Sequence, residues 1–168
     1  MSTVWIGIDP GLSGAIAVIQ YDGQVVTVLP IPLAGKEIDV KCIIKWLIKK
    51  ATVQKDGIFY KRDATVYIEA VHSMPGQGVS SVFKFGFVTG ILHGIIRTLG
   101  IPLYTVTPQA WKKEILAGTD KSKQASIDYV ARTYPNVSLK RTERSTTYDH
   151  NMSDAICIAE YCRRKHSA

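Results

Sequence analysis

Three acidic residues and one histidine stand in this chain at positions suited to chemistry. Asp9 closes the apolar run Val4-Trp5-Ile6-Gly7-Ile8 and is followed at once by Pro10-Gly11-Leu12-Ser13-Gly14. A run rich in β-branched residues reads as a buried strand, and the Pro-Gly pair ends its pairing. Asp9 is therefore expected at a strand terminus, a stiff mount for a metal ligand or a base. Glu69 sits at the end of a second short apolar run, Ala64 to Ala70. A carboxylate there should be paired, metal-bound or neutral, because a lone buried charge is costly. Asp154 falls one turn into a final helical segment, with His150 four residues earlier on the same side or at its cap. If the two strands are neighbours and that helix faces them, the three carboxylates converge. Clustered carboxylates repel strongly unless a cation lies among them. Hard oxygen ligands with open positions suit Mg2+ or Mn2+ better than zinc. Two such ions about 3.5–4 Å apart activate a water and stabilise a leaving oxygen in phosphodiester cleavage.

The elements that must position these residues follow in order. Val4 to Asp9, Ala15 to Gln20 and Val25 to Leu29 read as a three-stranded antiparallel meander, with Tyr21-Asp22-Gly23 as a hairpin turn. Asp39 is a cap for a helix with Val40, Ile43, Ile44, Leu47 and Ile48 on one face and Lys41, Lys45 and Lys49 on a solvated one. Residues 52–63 read as polar and irregular. His72 to Gly78 is a loop with two glycines and a proline, and Val79 to Leu99 a long helix. In that helix Gly86, Gly90 and Gly94 line one face, which predicts close helix packing within the fold or across a dimer. Phe83, Phe85 and Phe87 cannot all point to one side, so at least one is expected to be exposed. Ile101 to Val106 is a further strand. Thr107-Pro108 opens a helix whose apolar side is Trp111, Ile115 and Leu116. Another helix runs from about Ser122 to Tyr134. Lys140, Arg141 and Arg144 then lie in a basic loop before the last helix.

A chain of 168 residues is expected to form one domain, here residues 1–168, with room for a proper core. It contains no continuous run of 18 apolar residues, so no membrane span is expected, and its start carries no signal-peptide pattern. Cys42, Cys157 and Cys162 are odd in number and far apart, which predicts free thiols in a reducing compartment rather than a zinc site. Lysines and arginines number 21 against 14 acids, a net charge of +7. Such an excess points to polyanionic partners, nucleic acid above all.

Ile8-Asp9-Pro10-Gly11 with Gly14, Ile68-Glu69, the Pro108 to Trp111-Lys112 stretch, Lys123-Gln124-Ala125-Ser126, and Asp154-Ala155 in a late helix resemble, in order, the motifs of RuvC-type Holliday junction resolvases. Met74-Pro75-Gly76-Gln77-Gly78 and Asp149-His150-Asn151 resemble the phage-borne branch. The resemblance spans essentially the whole chain. It implies an α/β, ribonuclease-H-like fold: a central mixed five-stranded sheet with helices on both faces. It implies a homodimer that makes paired, metal-dependent nicks in four-way DNA junctions, with branched DNA of that kind as partner, Mg2+ (or Mn2+) as cofactor, two ions per site and no nucleotide cofactor. It places Asp9, Glu69 and Asp154 in the active site as metal ligands, and Lys112 and Lys123 near the junction DNA. Many members carry another aspartate three or four residues before the last acid. Here those positions hold Asn151 and His150, with Asp149 one step earlier, and since some members use histidine, His150 is assigned the fourth catalytic position. Phe83, or Phe85, is assigned to stack on an unpaired base at the junction centre. The setting implied is the cytoplasm of a bacterial host cell.

Three other functions share features with this sequence. An actin-like or sugar-kinase ATPase shares an Asp-and-glycine hairpin, but this chain has no second phosphate-binding hairpin. A non-catalytic DNA-structure binder fits poorly with three retained acids. Another ribonuclease-H-like nuclease, acting on flaps or RNA–DNA hybrids, is the nearest alternative.

Overall fold

The computed structural model describes residues 3–20, 23, 25–55, 58–61, 63–70 and 78–167. In chain order the elements are β1 (Val4–Asp9), β2 (Ala15–Gln20), β3 (Val25–Pro30), β4 (Leu33–Ala34), β5 (Glu37–Ile38), α1 (Val40–Ala51), β6 (Thr52–Lys55), β7 (Ile58–Lys61), β8 (Ala64–Glu69), α2 (Val79–Thr98), β9 (Leu103–Val106), α3 (Pro108–Ile115), α4 (Lys123–Thr133) and α5 (His150–His166). Five strands form one mixed sheet in the order β3-β2-β1-β8-β9. β1, β2 and β3 pair antiparallel as the expected meander, and β8 and β9 run parallel to β1. Tyr21 and Asp22 of the expected hairpin turn, and residues 71–77 of the expected glycine loop, lie outside the described residues.

Alternation along β1 divides the core into two layers. Val4, Ile6 and Ile8, with Val66 and Ile68 of β8, face α1 and α2. Trp5, with Ala15, Ala17 and Ile19 of β2, faces α3, α4 and α5. Helices thus cover both faces of the mixed sheet, as expected. The capping residues act as their types suggest: Asp39 Oδ1 accepts from Cys42 N at 2.9 Å, Thr107 from Ala110 N, and Ser122 from Ala125 N.

The structure corrects one expectation and narrows another, and it adds an observation about α2. The stretch expected to be irregular holds two strands: β6 and β7 pair antiparallel, Thr52 opposite Lys61 and Lys55 opposite Ile58, while residues 56, 57 and 62 lie outside the described residues. In the sequence, Thr52-Val53 and Ile58-Phe59-Tyr60 flank Asp56-Gly57, a two-residue hairpin signature that no long alternating apolar run announces. The glycines of α2 do not pack closely inside the chain, since a Cβ added at Gly86, Gly90 or Gly94 meets nothing within 4 Å. Finally, α2 is long and apolar enough to cross a membrane by length and composition alone. Its glycines and interspersed polar residues break any continuous apolar run, but enough Val, Ile, Leu and Phe remain to keep the helix apolar on average. In this fold Val88, Leu92, Ile95 and Ile96 bury one side of it in the core. All three cysteines are free thiols, with Cys157 and Cys162 buried and Cys42 half-buried.

Candidate active site

Asp9 ends β1 and Glu69 ends β8. These strands are parallel neighbours, with Ile8 beside Ile68, so the next residue of each strand is an acid. Both acids share the sheet face of Trp5 and Gly7, the face that α5 crosses. Gly7 makes that crossing close: a Cβ there would lie 2.2 Å from both Ala155 O and Ala159 N. Only a residue without a side chain lets the α5 backbone lie on β1, and that contact carries Asp154 to the strand ends. After Asp9 the chain doubles back sharply. A Cβ on Gly14 would stand 2.1 Å from Asp9 O, so the turn also requires a glycine there.

The electrostatics show that the acids do converge. The Asp9 carboxyl is held well above the usual carboxylate range, first by burial and then by the charges of Glu69, Asp154 and Asp149. Glu69 is also raised, by burial and by Asp154, against the hydrogen bond from Trp111 and the charge of Lys112. Asp154 is raised by burial, against the Ser126 hydroxyl and the charges of Lys112, His150 and Lys123. Lys112 is the cation that acts on all three acids. His150 opens α5 and lies close enough to Asp154 to bear on its charge.

Several neighbours fix these groups. Trp111 Nε1–H donates to Glu69 Oε1 at 2.7 Å. Ser126 and Ser153, both fully buried, share a 2.8 Å hydrogen bond beneath Asp154, and Ser153 also donates to His150 O at 2.8 Å. Asp149 caps α5 through Asn151 N at 2.9 Å and pairs with Arg141 Nε at 2.6 Å. The Arg141 guanidinium also donates to Ser13 O and Gly14 O, and Asn151 Nδ2 donates to Ser13 O. Arg141 and Asn151 thus clamp the turn after Asp9 to the start of α5. None of these links was read from the sequence. In the sequence Arg141 reads as part of a basic loop, and Trp111 as helix core and part of the Pro108 to Lys112 motif, with no link to Glu69. The one local hint was the Asp149-His150-Asn151 run at a helix start, where a capping acid is expected.

The donor set fits a hard divalent cation. Burial raises the proton affinity of all three carboxylates, and neighbouring acids add to it at Asp9 and Glu69, which is what a cation among them would relieve. Among the described residues, however, no group of three or more His, Cys, Asp and Glu side chains is placed to hold a metal ion as the side chains stand. The fit therefore rests on the chemistry of the donors, three hard carboxylates at one end of the sheet.

The residues assigned to DNA are distributed as follows. Lys112 is half-buried, with Nζ 5.2 Å from the centroid of the Trp111 ring. Lys123 is exposed at the start of α4. Phe83 is 71% exposed and stacks on the exposed Phe87 with ring centroids 6.3 Å apart. Phe85 is half-buried, its ring edge over Gly11 in the turn after Asp9.

No protein-family model matches the chain, and no curated protein sequence does. Solved structures do match. Thermus thermophilus RuvC in complex with a Holliday junction substrate aligns with a TM-score of 0.58 at 18% identity, covering 95% of this chain and 90% of that one. The yeast mitochondrial Holliday junction resolvase Ydc2 aligns with a TM-score of 0.52 at 12% identity, covering 95% and 77%. Fowlpox virus resolvase, solved with its Holliday junction DNA, aligns with a TM-score of 0.51 at 12% identity, covering 96% and 99%. Over nearly its whole length the chain is similar in fold to RuvC-type Holliday junction resolvases.

Proposed function

We propose that the protein is a divalent-metal-dependent endodeoxyribonuclease that resolves four-way DNA junctions by paired nicks. The observation that carries this reading is the convergence of Asp9, Glu69 and Asp154 from two parallel strand ends and one helix, each with its proton affinity raised. Its support from likeness is that the matched structures bear the names of junction resolvases, two of them in complex with junction DNA.

Asp9, Glu69 and Asp154 would hold Mg2+, with Mn2+ as a substitute and two ions per site. The chemistry such ions supply is activation of a water and stabilisation of the departing oxygen. His150, in its neutral form, would accept a proton from that water. Asp149 is a poorer choice for that role, because both its oxygens already have partners in Asn151 N and Arg141. Lys112 would approach the scissile phosphate, drawn inward by the three acids, and Lys123 would meet the backbone at the rim. Phosphate contacts from these and other cations would supply most of the affinity. Phe83, exposed on α2, would stack on an unpaired base.

The acting unit would be a homodimer, since two sites related by a two-fold axis match a two-fold junction. The open glycine face of α2, where a Cβ at Gly86, Gly90 or Gly94 would meet nothing within 4 Å, offers room for a second backbone. The phage-borne origin, and with it the cytoplasm of a bacterial host, rests on the sequence motifs alone. Residues 74–77 of those motifs lie outside the described residues.

The test is a matched set of four-way, flap, Y-shaped and RNA–DNA hybrid substrates, incubated with Mg2+ or Mn2+. The expected result is cleavage of the four-way junction far faster than of the others, and none in EDTA. Preferential cutting of flaps or hybrids would replace this reading with that of another ribonuclease-H-like nuclease.

A further inference from the structure

Glu69 has two carboxylate oxygens, and one of them already has a partner inside the fold. Trp111 is fully buried on α3, and its indole Nε1–H donates to Glu69 Oε1 at 2.7 Å. The two residues are 42 positions apart, so packing alone brings them together. With the ring enclosed by the core that α3, α4 and α5 share, the N–H has one direction to point. A second indole of that core, Trp5, has a buried Nε1 with no hydrogen-bond partner among the described residues. Burial in this core therefore does not by itself supply an indole with an acceptor.

We propose that Trp111 is a positioning residue: its hydrogen bond engages a lone pair of Glu69 Oε1 and fixes the carboxylate, so that Oε2 is presented to a divalent cation and binding through both oxygens is disfavoured. The inference rests on the metal-dependent reading above and adds to it a basis for ion selection. Mg2+ demands near-octahedral geometry at about 2.0–2.1 Å and suits a carboxylate that offers one oxygen. Ca2+ is larger, takes six to eight oxygens and readily uses both oxygens of one carboxylate. An indole bonded to Oε1 favours the first ion and handicaps the second. It does so as a neutral donor, so it orients the carboxylate without cancelling the charge that attracts the cation. Lys112 over the same ring ties the orientation of Glu69 to the cation that faces all three acids.

The experiment has two arms on the full chain. The first follows the three indole N–H resonances of 15N-labelled protein, assigned with single Trp→Phe variants, as Mg2+ is added without DNA. The Trp111 signal is expected downfield of the Trp5 signal. It should shift saturably with Mg2+ yet stay in the bonded range, and lose that response in Glu69→Ala. Movement to the Trp5 position would mean that the ion takes both oxygens and would overturn the proposal, as would no response at all. The second arm compares Trp111→Phe, which keeps a ring but no N–H, with the wild type. The Mg2+ concentration for half-maximal junction cleavage should rise about 10-fold or more, the scale of losing a ligand's hydrogen-bond partner. Inhibition by Ca2+ should strengthen by a similar factor, with junction binding unchanged. An unaltered Mg2+ midpoint and Ca2+ sensitivity would overturn it. If Trp111→Phe does not fold, the wild-type spectra still decide. A protein that cuts no branched DNA but passes the first arm would sink the junction reading and leave this one standing.

Discussion

Asp149 and His150 are adjacent residues with different commitments. Asp149 gives one oxygen to the α5 amide of Asn151 and the other to Arg141, while His150 faces Asp154. His150→Ala is therefore expected to slow junction cleavage about 100-fold or more, the scale of losing a general base. Asp149→Asn keeps a capping side chain and should cost less than about 10-fold in rate, chiefly through the loosened Arg141 clamp. Single-turnover rates at saturating Mn2+ check both, and the reverse ranking would hand the proton to Asp149. The raised acids also set a pH dependence for the metal-free protein. Asp9, Glu69 and Asp154 bind protons more readily folded than unfolded. The stability they contribute is fully present below the ordinary carboxylate range and is lost as pH rises through their folded values. Without metal, thermal stability should therefore fall from mildly acidic towards neutral pH. Asp9→Asn should flatten that fall and raise Tm at neutral pH, each kcal/mol recovered reading as about 2–4 °C. Calorimetry in EDTA across pH 4.5–8 measures it, and an Asp9→Asn protein less stable than wild type at pH 7.5 would contradict the convergence of charges.

At the scale of elements, the site depends on how closely α5 lies on β1. The atoms that a Gly7 Cβ would strike are backbone, so no side chain can move aside. Gly7→Ala is expected to destabilise the protein by about 3 kcal/mol or more, the upper range for overpacking, and to displace Asp154 from Asp9. Urea denaturation checks it, and a loss below about 1 kcal/mol would mean that α5 sits further from the sheet. Much of this framework was legible in the sequence. Alternating apolar runs ending in Asp9 and Glu69 marked the strands, and Thr107-Pro108 and Ser122 marked helix starts, because these signals are local. The Trp111–Glu69 bond and the Arg141 clamp were not legible. They join residues 42 and 127 or more positions apart, and no pattern along the chain encodes their direction. The β6–β7 hairpin was missed for another reason: its strands are only four residues each and end in Lys55 and Lys61, so no long alternating apolar run announces them.

On the whole molecule, one end of the sheet gathers negative charge within a chain of net charge +7. Far from the acids, a separate network anchors the other half of α5. Burial raises Glu160, but its bonds to Arg163, Tyr134 and Arg164 outweigh that and hold it below the usual range. The exposed Val79, Phe83 and Phe87 stripe on α2 leaves a surface for unpaired bases, and the open glycine face of that helix one for a second copy. A dimer with two such sites would cut both strands of a junction within the lifetime of one complex, and a single chain would not. The most direct measurement is cleavage of a supercoiled plasmid bearing an extruded cruciform, with Mg2+, by the wild type and by Asp9→Asn. The account predicts that the wild type yields linear DNA without accumulating nicked circles. Asp9→Asn should bind the cruciform with similar affinity and leave the plasmid supercoiled. Nicked circles alone from the wild type would contradict the paired sites, and wild-type cleavage by Asp9→Asn would contradict the acid centre itself.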